Sequence, residues 1–352
     1  MTGEQIPYHL RPNKYVEREL FCELLLRLGS QFDLKKYMYA SMGGKFLTDH
    51  YLMHIKIAPK ALISIEKSLS VHQRQVFNKN PDTIQCLNIN SSEFVVQYDR
   101  LFEQLECDNA IVWLDYVASR GRSTQLQEFT SVIQKMSHGD IIKITMNASP
   151  RTLKSEEIID PSELAEAMKT KLIAILGNYL KDESLMEEIE LNNAGFAQIL
   201  AACIKYAALE GISGASRELV IKPLTLYTYI DQNHQMITAT CVVLNRGQVD
   251  QIMNDSRVAE CPFYSGSWDV IKSISVPDLS IKERLLIDPK IENEGKVAEV
   301  IQGELSFSFD DDPEKSTQAL AGYVAHFTRY PSFVVLRKPT VALPTNVDIV
   351  AV

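Results

Sequence analysis

Four short stretches of the chain carry side chains whose types and spacing suit a nucleotide-type ligand, and each follows an apolar run. The first is Met42-Gly43-Gly44-Lys45-Phe46, where glycines lacking Cβ atoms would let the backbone approach a ligand; a plain turn is the alternative. The second is Glu66-Lys67. Glu66 stands 66 − 43 = 23 positions beyond the first glycine, near the interval at which nucleoside-binding folds place an acid for ribose hydroxyls. A surface glutamate would read the same way. The third is Asn88-Ile89-Asn90-Ser91-Ser92, whose short polar side chains suit an adenine edge. They equally suit a helix N-cap by Ser91 or Ser92, with Glu93 near the positive helix end. The fourth is Asp115-Tyr116, with Arg120-Gly121 shortly beyond. An acid closing a strongly apolar run is a candidate general base or hydrogen-bond acceptor, and Tyr116 could wall a substrate. A structural aspartate capping the next turn is the competing reading. Asn147 ends a fifth run with less to distinguish it.

Missing signatures narrow the chemistry. There is no G-x-S-x-G, no G-x-x-x-x-G-K-[ST] and no HExxH, which argues against serine hydrolases, P-loop proteins and zincins. Gly43-Gly44 is not G-x-G-x-x-G, and no Pro-Pro-aromatic follows Asp115, as amino-methylating enzymes of adenine and cytosine would require. His50 and His54 would share a helix face, but no glutamate follows His50 and no third ligand is evident, so no metal site is expected. The cysteines, Cys22, Cys86, Cys107, Cys203, Cys241 and Cys261, are scattered without a CxxC pair and read as reduced thiols. The acidic run Asp310-Asp311-Asp312 reads as a solvated loop. A net charge of −9 disfavours broad binding to nucleic acid or to an anionic membrane. With neither a signal-peptide pattern nor eighteen successive apolar residues, a cytoplasmic location is expected.

These stretches need elements to position them. Arg11-Pro12-Asn13 reads as a helix start capped by Asn13, with Val16, Leu20, Leu24 and Leu28 on one amphipathic face and Gly29 ending it. Short apolar runs follow at Tyr37 to Met42, Ala61 to Ile65, Thr83 to Ile89, Ala110 to Leu114 and Asp140 to Met146, with Ser70 to Phe77 helical. Continuous apolar strands separated by crossovers predict a parallel sheet covered on both faces. After Pro150 come helices from Pro161 to about Leu180 and from Ala194 to Leu209. Leu219 to Tyr229 and Gln235 to Leu244 then form an antiparallel hairpin. The rest holds a helix from Gln248 to Met253, another from about Thr317, and a strand-like run at Ser332 to Leu336. The expected organisation is an N-terminal helical segment (1–36), a cofactor-binding core (37–150), a helical insertion or cap (151–215), the terminal hairpin of the core sheet (216–245) and a C-terminal extension (246–352).

Several of these residues, in the same order, carry a family resemblance. Gly43-Gly44-x-Phe46-x-x-Asp49, Ser64-Ile65-Glu66-Lys67, Arg74-x-x-Phe77-Asn78-Lys79, Asn90-Ser91-Ser92, Val112-Trp113-Leu114-Asp115-Tyr116 and Thr145-Met146-Asn147-Ala148 resemble a bacterial family of "putative O-methyltransferases". That family is similar to class I, Rossmann-like methyltransferases that depend on S-adenosylmethionine. The match is clearest over 10–150 and extends loosely through the hairpin and Pro277-x-Leu279-Ser280. The resemblance implies an α/β, mostly parallel sheet with an antiparallel terminal hairpin. It implies S-adenosylmethionine held by Gly43, Gly44, Phe46, Glu66, Lys67, Asn90, Ser91 and Asp115. Gly43 and Gly44 would face its methionine part, Glu66 its ribose, and Asn90 and Ser91 its adenine. Asp115 and Tyr116 would line the site beside the methyl group, Asp115 assisting proton loss from an oxygen acceptor. The acceptor is unknown, and a protein partner or a homo-oligomer is left open. Two other readings compete: a non-catalytic methyltransferase-like module that binds a nucleotide or a partner, and a nicotinamide-dependent oxidoreductase, which does not suit the terminal hairpin.

Overall fold

The structure, a computed structural model, describes residues 11–79, 83–154, 160–181, 189–216 and 218–331. Helix α1 (Pro12–Leu28) has Pro12 in its first turn, where the fixed φ suits a helix and no amide bond is lost. There follow β1 (Tyr37–Ser41), α2 (Thr48–Lys56), β2 (Ala61–Ile65), α3 (Leu69–Asn78), β3 (Ile84–Leu87), α4 (Ser91–Leu105), β4 (Asn109–Asp115), α5 (Arg122–Ile133) and β5 (Ile141–Asn147). Beyond them lie α6 (Pro161–Leu176), α7 (Asn193–Ser213), β6 (Leu219–Asp231), β7 (His234–Asn245), α8 (Val249–Asp255), β8 (Lys272–Ile274), α9 (Ile281–Glu292), α10 (Ala298–Glu304) and α11 (Pro313–His326).

The strands form one eight-stranded sheet in the order β3-β2-β1-β4-β5-β7-β6-β8. The first five are mutually parallel, and β7 runs antiparallel to both β5 and β6. β1, β2 and β5 are buried along their whole length, as continuous apolar runs between two covered faces must be. On one face Ala40, Ile63, Val112 and Ile144 pack with Phe94 and Tyr98 of α4, Phe129 of α5, and Phe196 and Leu200 of α7. On the other, Tyr39, Leu62, Ile111 and Trp113 pack with Phe21, Leu24 and Leu25 of α1. A third cluster joins Val16 and Leu20 to Tyr227 and Tyr229 of the hairpin and to Ile287, Ile301 and Leu320 of the C-terminal helices. Strand order reverses between β1 and β4, and ligands of such sheets bind at the carboxyl ends of the strands flanking that point.

The structure departs from the sequence reading at several elements. Asn13 does not cap α1. Its side chain spans two other elements instead, donating to Ile230 O at 3.1 Å and accepting from Val276 N at 2.8 Å. Nor is α1 a simple amphipathic helix, because Lys14, Glu17, Arg18 and Glu19 are buried along with its apolar stripe. The helix is wedged between two hydrophobic clusters and has little outward face. The third strand is shorter than the apolar run that suggested it. The core sheet does not end at the hairpin, since β8 adds a parallel pairing to β6 from within the segment read as an extension. Asp312 accepts from Glu314 N and Lys315 N, so the acidic run supplies the N-cap of α11. The expected strand at Ser332 to Leu336 lies outside the described residues. Helix α7 is long and apolar enough to cross a membrane, but 67% of that stretch is buried inside the protein.

Candidate active site

At the carboxyl ends of β1 to β4 the sheet opens into a cleft of about 230 Å3. Its walls come from Met42 and Gly44 after β1, Ile65, Glu66 and Lys67 at the end of β2, Ile89, Asn90 and Ser91 after β3, and Asp115 to Ala118 after β4. Successive parallel strands thus bring residues separated by more than seventy positions to one edge. The wall is apolar at Ile65 and Ile89 and polar at Glu66, Asn90, Ser91 and Asp115.

Gly44 lies on the cleft with φ 51°, a left-handed conformation that favours glycine. Gly43 does not face the cleft. A Cβ there would stand 2.7 Å from His50 Nδ1 and from Ser64 Oγ, so this glycine exists to let α2 and β2 close beneath the loop. Phe46 is also absent from the cleft wall, its ring lying 4.9 Å from Lys45 Nζ. Glu66 Oε1 accepts from Ser68 N at 2.7 Å, which fixes the carboxylate at the rim, and Lys67 is exposed beside it.

Asn90 caps α4: its Oδ1 accepts from Glu93 N at 2.9 Å while Glu93 accepts from Asn90 N at 2.8 Å, closing a capping box. The capping alternative is therefore realised, with Asn90 rather than a serine as the cap. The cap holds the start of α4, and so Ser91, against the cleft.

Asp115 is buried at the head of β4. Its Oδ2 accepts from Lys14 Nζ at 3.0 Å and lies 3.8 Å from Arg18, while Oδ1 is buried without a hydrogen-bond partner. Both cations come from α1, which continues the network to the hairpin: Arg11 Nε donates to Asp231 Oδ1 at 2.6 Å, and Lys14 is 3.8 Å from Asp231. Burial raises the Asp231 carboxyl, but Lys14 and Arg11 more than offset it and hold the carboxyl below its usual value. Deeper still, Lys143 of β5 pairs with Glu17 between the rings of Phe21 and Trp113, and burial pushes its amine down.

Tyr116 lines the cleft with its hydroxyl engaged by a neighbouring acid. It donates to Glu128, and burial first, then the Glu128 charge, raises the phenol well above its ordinary value. Ser92 donates to the other Glu128 oxygen, linking α4 to α5 behind the cleft.

Sequence reasoning missed Lys14 and Arg18 as neighbours of Asp115. The available signal was their spacing, i and i+4, on a helix otherwise rich in leucine. Among the described residues no group of histidine, cysteine, aspartate and glutamate is arranged to hold a metal.

No curated protein matches the chain in sequence. Among solved structures, Trm1 from Pyrococcus horikoshii in complex with S-adenosyl-L-methionine aligns at 9% identity and TM-score 0.37, over 68% of this chain and 58% of that one. The chain therefore spans less than two thirds of Trm1. The O-methyltransferase TomG from Streptomyces achromogenes, in complex with SAM, aligns at 10% identity and TM-score 0.35, over 65% and 80% of the two chains. The N-methyltransferase NodS from Bradyrhizobium japonicum aligns at 10% identity and TM-score 0.33, over 66% and 88%. A sequence family described as "Putative O-methyltransferase" matches residues 6–338, nearly the whole chain, and the protein belongs to that family.

Proposed function

We propose that the protein is a methyltransferase that uses S-adenosylmethionine and delivers the methyl group to an oxygen of its acceptor. The carrying observation is the cleft itself, with Gly44, Glu66, Asn90 and Asp115 on four successive strand ends flanking the point where strand order reverses. Family membership supplies the reaction class.

The residues present suit this cofactor. Ile65 and Ile89 offer apolar walls for a purine, Glu66 an acceptor for ribose hydroxyls, and Gly44 a backbone without a Cβ at the methionine end. Asp115 Oδ1, buried and unpartnered, offers an acceptor to a donor group of the bound molecule. When bound, S-adenosylmethionine supplies a methyl group already activated by its sulfonium. The protein's own task is then alignment and, for a hydroxyl acceptor, proton removal. Lys14 fixes one oxygen of Asp115, so the other is the oxygen that takes a hydrogen bond or proton from the acceptor. Tyr116, locked to Glu128, is a wall and not a base. Titration calorimetry with S-adenosylmethionine, S-adenosylhomocysteine and NAD tests the reading. Micromolar binding of the two sulfur compounds is expected, and binding of neither at millimolar concentration would overturn it.

A further inference from the structure

Arg122 opens α5 just after the loop that follows β4, and its side chain is fully buried. Its Nε and Nη2 donate to Asn147 O at 3.1 and 2.9 Å, and Nη2 also to Thr152 Oγ1 at 2.9 Å. The guanidinium lies 5.0 Å from the Phe196 ring, and Nη1 is buried with no partner. The other buried cations among the described residues all have carboxylates: Arg11 and Lys14 have Asp231, Lys14 and Arg18 have Asp115, and Lys143 has Glu17. Arg122 has carbonyl, hydroxyl and ring contacts only. Burial, with no acid to oppose it, pushes its guanidinium down to about 10. An uncompensated buried charge is costly, and an anion is what relieves it.

One further feature converges here. Helix α5 starts at Gly121 without a side-chain cap, leaving its first amides and the positive end of its dipole for a ligand. One turn on, Gln125 Nε2 donates to Ala118 O and Arg120 O at 3.0 and 3.2 Å, tying the loop to the helix. The wall between Arg122 and the cleft is thin. Asn147, whose carbonyl Arg122 holds, donates from Nδ2 to Val117 O, and Val117 and Ala118 line the cleft. The 117–121 loop is held by the bonds to Val117 O, Ala118 O and Arg120 O, and its opening means releasing them.

We propose that Arg122 and the amino end of α5 form an oxyanion site, reached as the 117–121 loop opens, which selects an acceptor carrying a carboxylate or phosphate group. The word acceptor rests on the methyltransferase reading; the anion site does not. The test uses the full chain saturated with S-adenosylhomocysteine and titrated with inorganic phosphate, then with acetate, at ionic strength held constant with chloride. The melting temperature of the wild type should rise saturably with at least one oxyanion, and the more effective one names the group. Arg122→Gln should weaken that anion's affinity at least about tenfold, as expected for losing a charged donor. Thr152→Asp puts a carboxylate at the position whose Oγ1 accepts from Arg122 Nη2 at 2.9 Å. It should remove the anion response, which keeps the test decisive if Arg122→Gln fails to fold. No response to either oxyanion in the wild type, or an equal response in Thr152→Asp, would overturn the proposal. Loss of S-adenosylhomocysteine binding in the wild type, with the anion response intact, would count against the methyltransferase reading alone.

Discussion

Gly43 and Gly44 are adjacent in the chain yet answer to different constraints, and substitution separates them. Alanine at 43 drives a Cβ against His50 and Ser64, both buried, so Gly43→Ala should cost about 1–3 kcal/mol by overpacking. Urea unfolding measures that cost, and an unchanged midpoint would show that α2 yields freely. Glu66 belongs to the cleft instead. Glu66→Ala should abolish calorimetric binding of S-adenosylmethionine with little effect on stability, because the side chain is only partly buried at the rim. Binding retained within about threefold, less than the loss of one charged hydrogen bond produces, would remove Glu66 from the ribose role. The contrast shows what the sequence makes legible. Glu66 and Asp115 could be placed because each ends an apolar run, and a parallel sheet sends all such ends to one edge. The inward turn of Gly43, the absence of Phe46 from the wall and the engagement of Asn90 as a cap depend on side-chain directions that no spacing encodes.

Helix α1 shows the same limit among whole elements. Its apolar stripe was readable, but its charged residues find their partners far along the chain: Lys14 meets Asp115, and Arg11 meets Asp231. A sequence pattern gives a helix face, whereas a buried ion pair is decided by which strand ends that face meets. The three residues of β8 were invisible for a related reason, being too short for alternation to register. Lys14→Met leaves the Asp115 carboxylate buried without its closest cation and should cost about 3–5 kcal/mol, the usual penalty for breaking a buried pair from one side. Adding Asp115→Asn should return part of that loss. The double-mutant cycle should therefore show coupling above about 1 kcal/mol, measured by urea unfolding. Additive effects would mean that α1 does not hold the head of β4 through this contact. Because Asp115 also lines the cleft, Lys14→Met should in addition weaken ligand binding, which couples the helix to the site.

For the whole molecule, these environments set two windows of acid sensitivity with separate causes. Burial raises the carboxyls of Asp49 and Asp231, but the neighbours of each more than offset it: His50, Arg18 and Ser41 for Asp49, Lys14 and Arg11 for Asp231. Both end below the ordinary carboxylate value. Their stabilisation is present above the unfolded value, near 3.9, and is lost only as pH falls below it. His326 titrates earlier. It closes α11, packs 5.2 Å from the Phe263 ring, and has a buried Nδ1 without a partner. Burial first, then Arg329, lowers its imidazole to about 4. The unfolded chain therefore takes up this proton near pH 6.5 while the folded protein refuses it, so stability must fall as pH drops from about 6.5 toward 4. At about 1.4 kcal/mol per unit, this one group accounts for a loss of roughly 3 kcal/mol by pH 4. His326→Gln removes the proton uptake and keeps a polar side chain of similar reach. Urea unfolding at pH 7, 5.5 and 4.5 should show a sloping stability in the wild type and a flatter one in the variant, with both falling together below pH 4. An identical slope in the two proteins would place the mild-acid sensitivity elsewhere. A flattened slope would tie it to the contact between α11 and the segment carrying Phe263.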